Sequence, residues 1–302
     1  MVVKKLFRLT PLLFVLLACL SYSYNSKQYE GHLHNGSPNS AVTSIDTTLK
    51  VAYIGNMGVL VEHKEKTVLV DGLHSKYKPA YVYPNKGTVN KLIKGSFANF
   101  SSLEIVLISH IHGDHFDAGY TNTFRQANPG AMVIGSSQIK DKIDEVANQG
   151  DTAMEAFFQT VAYDRKPHSI DYKGIQVTGI RCDHVNPSRH SSIQNIAYVV
   201  DIDSYKVLHI GDTDWNLVQS SLKNLQLKSG EIDIAIVPYW MLLDKNTTAL
   251  MIDLIDPVRI LATHIPPNFS ESDKKLILEN HKNTLLFTEI GQTYEYTKST
   301  VD

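Results

Sequence analysis

Cysteine is scarce in this sequence, which contains only Cys19 and Cys182 among its 302 residues. A disulfide framework is therefore excluded as the source of stability. Long apolar runs are missing too, because the stretch "PLLFVLLA" is far shorter than the roughly 20 residues that cross a bilayer. An excess of positive charge is also absent. The 29 basic and 31 acidic residues give a formal net charge of −2, which argues against a broad nucleic-acid-binding face.

The first 23 residues are predicted to be an export signal. Two lysines and an arginine precede the short apolar stretch, in the order that a signal peptide shows. The letters "LLAC" at residues 16–19 resemble the lipobox of bacterial lipoproteins, which predicts lipidation of Cys19. The small-x-small pattern "SYS" at residues 21–23 offers ordinary cleavage as the alternative. We therefore expect an exported protein of the periplasm or cell envelope, whose membrane attachment is the predicted lipid.

The rest of the chain is predicted to be a tether followed by one domain. Residues 24–46 are polar and contain Gly, Ser, Asn and Pro without periodicity, as a flexible linker does. Residues 47–302 mix apolar strand-like segments, such as Val51–Ile54 and Thr67–Val70, with helical ones such as "AGYTNTFRQA". Because no long linker interrupts this pattern, we expect a single α/β domain with helices packed outside sheets.

The densest polar cluster, "SHIHGDHFD", directly follows the apolar segment "SSLEIVLI". In an extended segment, positions i and i+2 face the same side, so His110 and His112 can converge on one ion. Gly113 lets the loop fold back and brings Asp114 and His115 beside that pair. Imidazole and carboxylate ligands without thiolates suit zinc, iron or manganese. The cluster therefore predicts a metal site.

Three later residues, His184, Asp212 and His264, also come directly after apolar segments. The ends of strands in an α/β protein are where sites gather, because a rigid sheet positions the loops there. Two ions would need about this many additional ligands, so we expect these three to join the first cluster. His190 is the alternative to His184, either as a ligand or as a residue that lines the pocket.

With these residues in place, the sequence from about Leu49 to Thr297 resembles the metallo-β-lactamase-fold hydrolases. The resemblance implies a four-layer αββα sandwich with two divalent ions, Zn²⁺ first, and Mn²⁺ or Fe²⁺ as alternatives. It also implies that Asp71 orients a ligand histidine through its free ring N–H. The implied ligands are His110, His112 and His184 for one ion, Asp114, His115 and His264 for the other, and Asp212 as the bridge.

The same resemblance implies hydrolysis by a water that the ions activate, with Asp114 guiding its proton. Tyr239, after a buried strand, is predicted to donate a hydrogen bond to a developing oxyanion, with packing against Trp240 as the alternative.

True β-lactamases of this fold generally lack the bridging aspartate. Asp212 therefore favours the branch of ascorbate-phosphate lactonase-like proteins, phospholipases and nucleases. We expect cleavage of a small ester, lactone or amide, or alternatively of a lipid or nucleotide phosphodiester; nucleic acid is not an expected partner.

Overall fold

The computed structural model describes residues 48–75, 77–78, 80–147, 157–227 and 229–298. The predicted signal at 1–23, including Cys19, and the predicted tether at 24–46 lie outside the described residues. Within the described ranges, none of the helices is long and apolar enough to cross a membrane.

The described strands form two seven-stranded sheets. The first has the order β14-β1-β2-β3-β4-β5-β6, and the second has the order β13-β12-β11-β10-β9-β8-β7. The strands of the first sheet are β1 Leu49–Gly55, β2 Gly58–His63, β3 Lys66–Val70, β4 Ile105–Leu107, β5 Met132–Gly135, β6 Phe158–Thr160 and β14 Thr293–Tyr296. Those of the second are β7 His168–Tyr172, β8 Ile175–Arg181, β9 Ile196–Ile202, β10 Tyr205–His209, β11 Ile234–Pro238, β12 Arg259–Thr263 and β13 Thr284–Leu286.

Helices cover the outer face of each sheet, and several begin at a side chain that caps their free N–H groups. Asp117 accepts a hydrogen bond from the N–H of Tyr120, and Ser270 accepts one from the N–H of Asp273. The described helices are α1 Lys86–Ile93, α2 Ala118–Ala127, α3 Ser137–Val146, α4 Pro187–His190, α5 Trp215–Leu225, α6 Asn246–Leu254 and α7 Glu271–Asn280, with a 3₁₀ turn at Tyr239–Leu242.

Strand β1 shows how the sheets are buried on both faces. Val51 and Tyr53 lie in the apolar layer that the two sheets share. Ala52 and Ile54 point the other way and pack with residues of α1, α2 and α3. Helices α5, α6 and α7 form the equivalent layer outside the second sheet. This arrangement is the predicted αββα sandwich, and it explains why the strands read as continuous apolar segments rather than as alternating ones.

The strands that precede the candidate ligands end at one edge of the sandwich. Strands β3, β4 and β5 run parallel to one another in the first sheet, as do β10, β11 and β12 in the second. Backbone hydrogen bonds join the sheets there. The N–H of Ile196 donates to the carbonyl of Ser109 at 3.0 Å, and the N–H of His264 donates to that of Asn56 at 2.7 Å. The loops of both sheets therefore meet at this edge.

Candidate metal centre

The histidine-rich loop after β4 folds into a tight turn. The N–H groups of His115 and Phe116 both donate to the carbonyl of His112 at 3.0 Å. Asp117 then begins α2, so the loop is fixed by a strand at one end and a capped helix at the other. His110 and His115 are fully buried, whereas His112 is partly exposed on the pocket side.

The structure brings together all seven side chains that were predicted as metal ligands. They fall into two groups, and within each group the candidate ligand atoms lie within 4.8 Å of one another. One group is His110, His112, His184 and Asp212, and the other is Asp114, His115 and His264.

Asp212 connects the two groups through its two carboxylate oxygens. Oδ1 lies 3.3 Å from Nε2 of His115. Oδ2 lies 3.5 Å from Nε2 of His264, 3.8 Å from Nε2 of His184 and 4.0 Å from Nε2 of His110. The carboxylate therefore faces both groups, which is the position expected of a bridge.

The buried atoms of the two ligand groups have the properties that a cation site requires. Among the described residues, Oδ1 of Asp212 and Nε2 of His264 are buried without a hydrogen-bond partner. Buried polar atoms are almost always satisfied, and buried charges are paired or coordinate metals. Nitrogen and oxygen donors without thiolates are those that zinc, manganese and iron accept. The residues present thus fit divalent ions.

The electrostatics of the two groups differ in sign. Burial lowers the pKa of His110 well below its usual value, and burial together with His184 lowers the pKa of His112 to about 4. Burial also disfavours charge on His264, yet Asp212 and Asp114 outweigh it and raise the pKa to about 9. Burial favours the neutral form of Asp114, but His115 and His264 together outweigh it and lower the pKa to about 2. Without metal, protons therefore concentrate on the second group.

Asp71 holds His115 in place from the side away from the pocket. Its Oδ2 lies 2.9 Å from Nδ1 of His115 and accepts a hydrogen bond from the Ser109 hydroxyl at 2.5 Å. Its Oδ1 accepts from the N–H of Ser109 at 2.7 Å. Bound in this way, Nδ1 of His115 is occupied and Nε2 faces Asp114 and Asp212. Asp71 therefore lies where an orienting second partner of a ligand is needed.

Asn56 is a site residue that the sequence did not reveal. Its Nδ2 donates to Oδ2 of Asp114 at 3.0 Å and to the Asp114 carbonyl at 3.2 Å. Its own carbonyl accepts the N–H of His264. The sequence shows it as a turn residue in "IGNMG", and an asparagine beside a glycine in a turn is a weak signal that could have marked it.

Three residues around the second ligand group have left-handed backbone. Asn56, Asp71 and His264 have φ values of 52°, 48° and 59°. Each non-glycine residue in this region costs on the order of 1–3 kcal/mol, and such residues persist where the surroundings hold them firmly. The hydrogen bonds of Asn56 and Asp71 supply that constraint, so the backbone here is shaped for the site.

His190 lies on the first ligand group without joining it. Its ring centroid is 4.6 Å from that of His184 and 4.9 Å from that of His112. His184 places Nδ1 2.7 Å from the Val185 carbonyl, which leaves Nε2 to face His112 and Asp212. The geometry thus favours His184 as the ligand and His190 as a residue of the pocket.

Tyr239 is not brought to the ligand groups by any contact among the described residues. It begins the 3₁₀ turn that follows β11, and its ring packs edge-on against Phe269 and Trp240, at 4.8 and 5.6 Å between centroids. The aromatic rings that contact His264 are instead Trp240 at 4.8 Å and Tyr81 at 5.1 Å. Packing was the alternative for Tyr239, and Tyr81 was missed because its loop has no periodicity.

A cavity of about 480 Å³ opens above both groups. Its outer walls include Tyr77, Lys78, Tyr81, Arg189, His190 and Trp240. Tyr77 lies directly on the ligand loop, since a Cβ atom at Gly113 would be only 2.7 Å from Cδ2 of its ring. Gly113 is therefore needed for this close approach as well as for the turn.

A family model described as a beta-lactamase superfamily domain matches residues 50–264. The chain belongs to this family. Its members include metal-dependent hydrolases, and a UPF0173 metal-dependent hydrolase of Pyrococcus furiosus is 24% identical over 247 residues. That alignment covers 79% of this chain and 96% of the relative. The chain is thus a metal-dependent hydrolase of the metallo-β-lactamase superfamily, as predicted.

Solved structures confirm the fold of this hydrolase. A metallo hydrolase of Ignicoccus hospitalis has a TM-score of 0.56 at 18% identity, with 84% of this chain and 100% of that chain covered. A metallo-β-lactamase-fold protein of Bacillus subtilis has a TM-score of 0.56 at 15% identity, with 82% and 100% covered. At these identities the likeness establishes the sandwich and leaves the substrate to be argued from the site.

Proposed function

We propose that this hydrolase holds two divalent ions, zinc being the expected metal, and cleaves a small ester, lactone or amide. The observation that supports two ions is the position of Asp212, whose carboxylate faces His115 and His264 of one ligand group and His184 and His110 of the other. The first ion would be held by His110, His112 and His184, and the second by Asp114, His115 and His264.

Two ions bound there would lower the pKa of a shared water toward neutrality and polarise the scissile group. The chain's own residues supply the orientation. Asp71 fixes the ring of His115. Asn56 holds Oδ2 of Asp114, which lies 3.5 Å from Nε2 of His264. A carboxylate with a depressed pKa can accept a hydrogen bond from the attacking water and keep it aligned.

The cavity supports a small-molecule substrate. Its volume of about 480 Å³ lies within the roughly 300–1,000 Å³ of ligand pockets. Tyr81 and Trp240 line it beside His264 and offer an apolar wall for the body of the substrate. This combination supports a compact ester, lactone or amide as the substrate class.

A phosphodiester of a lipid or nucleotide is the second candidate. Lys78 and Arg189 line the same cavity, and cations favour an anionic substrate.

We further propose that the protein is exported and that Cys19 carries a lipid. The mass of the mature N-terminus tests this, because a free Tyr24 would exclude lipidation.

The function is tested with purified full chain reconstituted with zinc or with manganese. Hydrolysis of 4-nitrophenyl butyrate and of bis(4-nitrophenyl) phosphate is measured alongside metal content. His110→Ala removes a candidate ligand, and His168→Ala is its matched control, because His168 lies on β7 and pairs with Asp164. Metal-dependent turnover that is lost only in His110→Ala supports the proposal. Turnover of the phosphodiester alone moves the second candidate to first place, and a single bound ion contradicts the dinuclear site.

A further inference from the structure

We propose that the natural substrate carries an anionic group remote from its scissile bond, a carboxylate or a phosphate, and that Lys78 and Arg189 bind this group at the mouth of the pocket. This inference rests on the proposed function, because it assumes that the scissile bond lies at the two ligand groups.

The two cations stand on opposite flanks of the pocket. Lys78 follows Tyr77, which packs on Gly113 and stacks on Tyr81 at 6.0 Å, beside the second ligand group. Arg189 precedes His190 on α4, whose ring lies against the first ligand group. A group held between these cations lies across the mouth.

Neither cation is neutralised by a carboxylate within the part of the chain that the structure describes. Lys78 has its Nζ 4.8 Å from the ring of Tyr77, and both it and Arg189 are exposed. The described carboxylates that line this cavity are Asp114 and Asp212, and both belong to the ligand groups. Once metal balances those two, the outer pocket carries net positive charge.

Asp183, the acidic residue that precedes Arg189 in the sequence, pairs with other arginines. Asp183 makes ion pairs with Arg165 at 2.5 Å and with Arg181 at 2.8 Å. Arg189 itself is exposed, and an arginine fork suits a carboxylate or a phosphate equally well.

The ligand groups and the two cations differ in burial, so a substrate that contacts both would carry its anionic group away from the scissile bond. Asp212 and His264 are buried at its floor, whereas Lys78 and Arg189 are exposed at its rim. Tyr81 and Trp240 contact His264 and line the same pocket. The substrate is thus expected to have a reactive end at the floor and a charged end at the rim. A simple phosphodiester would instead place its charge at the ions.

The test uses three esters with the same leaving group on the metal-loaded full chain. These are 4-nitrophenyl butyrate, 4-nitrophenyl hemisuccinate and 4-nitrophenyl 3-phosphonopropanoate, which differ in having a methyl, a carboxylate or a phosphonate at the far end. We expect kcat/KM to favour at least one anionic ester by about tenfold, the effect of one charge-assisted hydrogen bond. The anion that is preferred identifies the charged group of the natural substrate as a carboxylate or a phosphate.

Lys78→Met combined with Arg189→Met is expected to abolish that preference. Lys64→Met is the matched control, since Lys64 lies in the turn between β2 and β3 and pairs with Asp203. An anion that binds the metals directly would be preferred equally in the double variant and in wild type. That result, or the absence of any preference in wild type, overturns the inference.

A separate equilibrium measurement keeps this inference distinct from the proposed function. If protein that carries both metals hydrolyses none of the esters, ester cleavage fails as the function. Binding of N-phenylsuccinamate and of neutral butyranilide is then compared through the fluorescence of Trp240 and its neighbours. Tighter binding of the anion that is lost in the double variant supports the inference, and equal binding of the two probes contradicts it.

Discussion

The two ligand groups are built differently although they share Asp212. The first is formed by His110, His112 and His184, with the ring of His190 lying over it. The second is enclosed by Asn56 and Asp71 and is built on left-handed backbone. Histidines of the first are held neutral, whereas those of the second attract protons. The fold therefore holds the second ligand group more firmly than the first.

The largest effect is expected where the two groups meet. Asp212→Asn keeps the shape of the side chain and removes the charge that faces both groups. We expect kcat/KM to fall about 1000-fold, the upper end for loss of one preorganised electrostatic group, with weaker binding of both ions. Asp214→Asn is the matched control, because Asp214 caps α5 and asparagine caps equally well. Loss of a single ion from Asp212→Asn would show that the groups are independent.

The roles of His184, a ligand candidate of the first group, and of His190, which packs on that group, can be distinguished by metal content. His184→Ala is expected to lose one ion and to lower kcat/KM about 100-fold, as removal of a direct electrostatic partner does. His190→Ala should retain both ions, because its ring packs on the group from outside. Metal content by plasma mass spectrometry checks both variants, and loss of an ion only from His190→Ala would reverse the assignment.

The enclosure of the second group is tested through Asp71. Asp71→Asn removes the carboxylate that holds Nδ1 of His115. We expect the affinity for the second ion to fall roughly 10- to 100-fold, as for other outer partners of ligand histidines. Affinity for the first ion should change much less. Competition with a chromogenic chelator resolves the two affinities, and an equal loss of both contradicts the comparison.

The two ions should also respond differently to acid. A pKa of about 9 keeps His264 protonated at neutral pH without metal, so binding of the second ion must displace that proton. Its affinity should therefore fall about tenfold for each pH unit below that pKa. His112, with a pKa of about 4, carries no proton across this range. Dialysis at about pH 9 and about pH 6, followed by metal analysis, should show the second ion lost first.

The smallest effect distinguishes the two tyrosines. Tyr81 lines the cavity beside His264, and if its hydroxyl donates one neutral hydrogen bond in the transition state, Tyr81→Phe should lower kcat about fivefold. Tyr239→Phe should change kcat little, because its ring packs against Phe269. Steady-state kinetics with 4-nitrophenyl butyrate compares them, and a larger loss in Tyr239→Phe would restore the role that the sequence suggested.

The sequence predicted the residues whose place depends on strand ends. His184, Asp212 and His264 each follow a buried apolar segment, and parallel strands bring such ends to one edge. Strand β1 was predicted as Val51–Ile54 and extends over Leu49–Gly55, because pairing with β2 and β14 continues beyond the apolar core of the segment. Helix α2 was predicted with the same bounds, Ala118–Ala127, that it has in the structure.

The residues that were missed depend on contacts between distant loops. Asn56 meets Asp114 across the sandwich edge, and Tyr81 meets His264 from a loop without regular structure. No periodic pattern encodes either contact. Tyr239 was predicted from its position after β11, but the 3₁₀ turn directs its ring to Phe269. Proximity along the chain to a strand end does not fix the direction of a side chain once the backbone turns.

The hydrogen bond from the His264 N–H to the Asn56 carbonyl joins the segment after β12 to the turn between β1 and β2. A growing chain that has emerged only as far as α3 contains His110, His112 and His115 but lacks the last ligands. A complete set of donors exists only after β12 docks, because folding and metal binding are coupled when no preformed site exists. Occupation of both ligand groups would therefore require that the chain has folded through β12, and a chain that stops before β12 would lack His264.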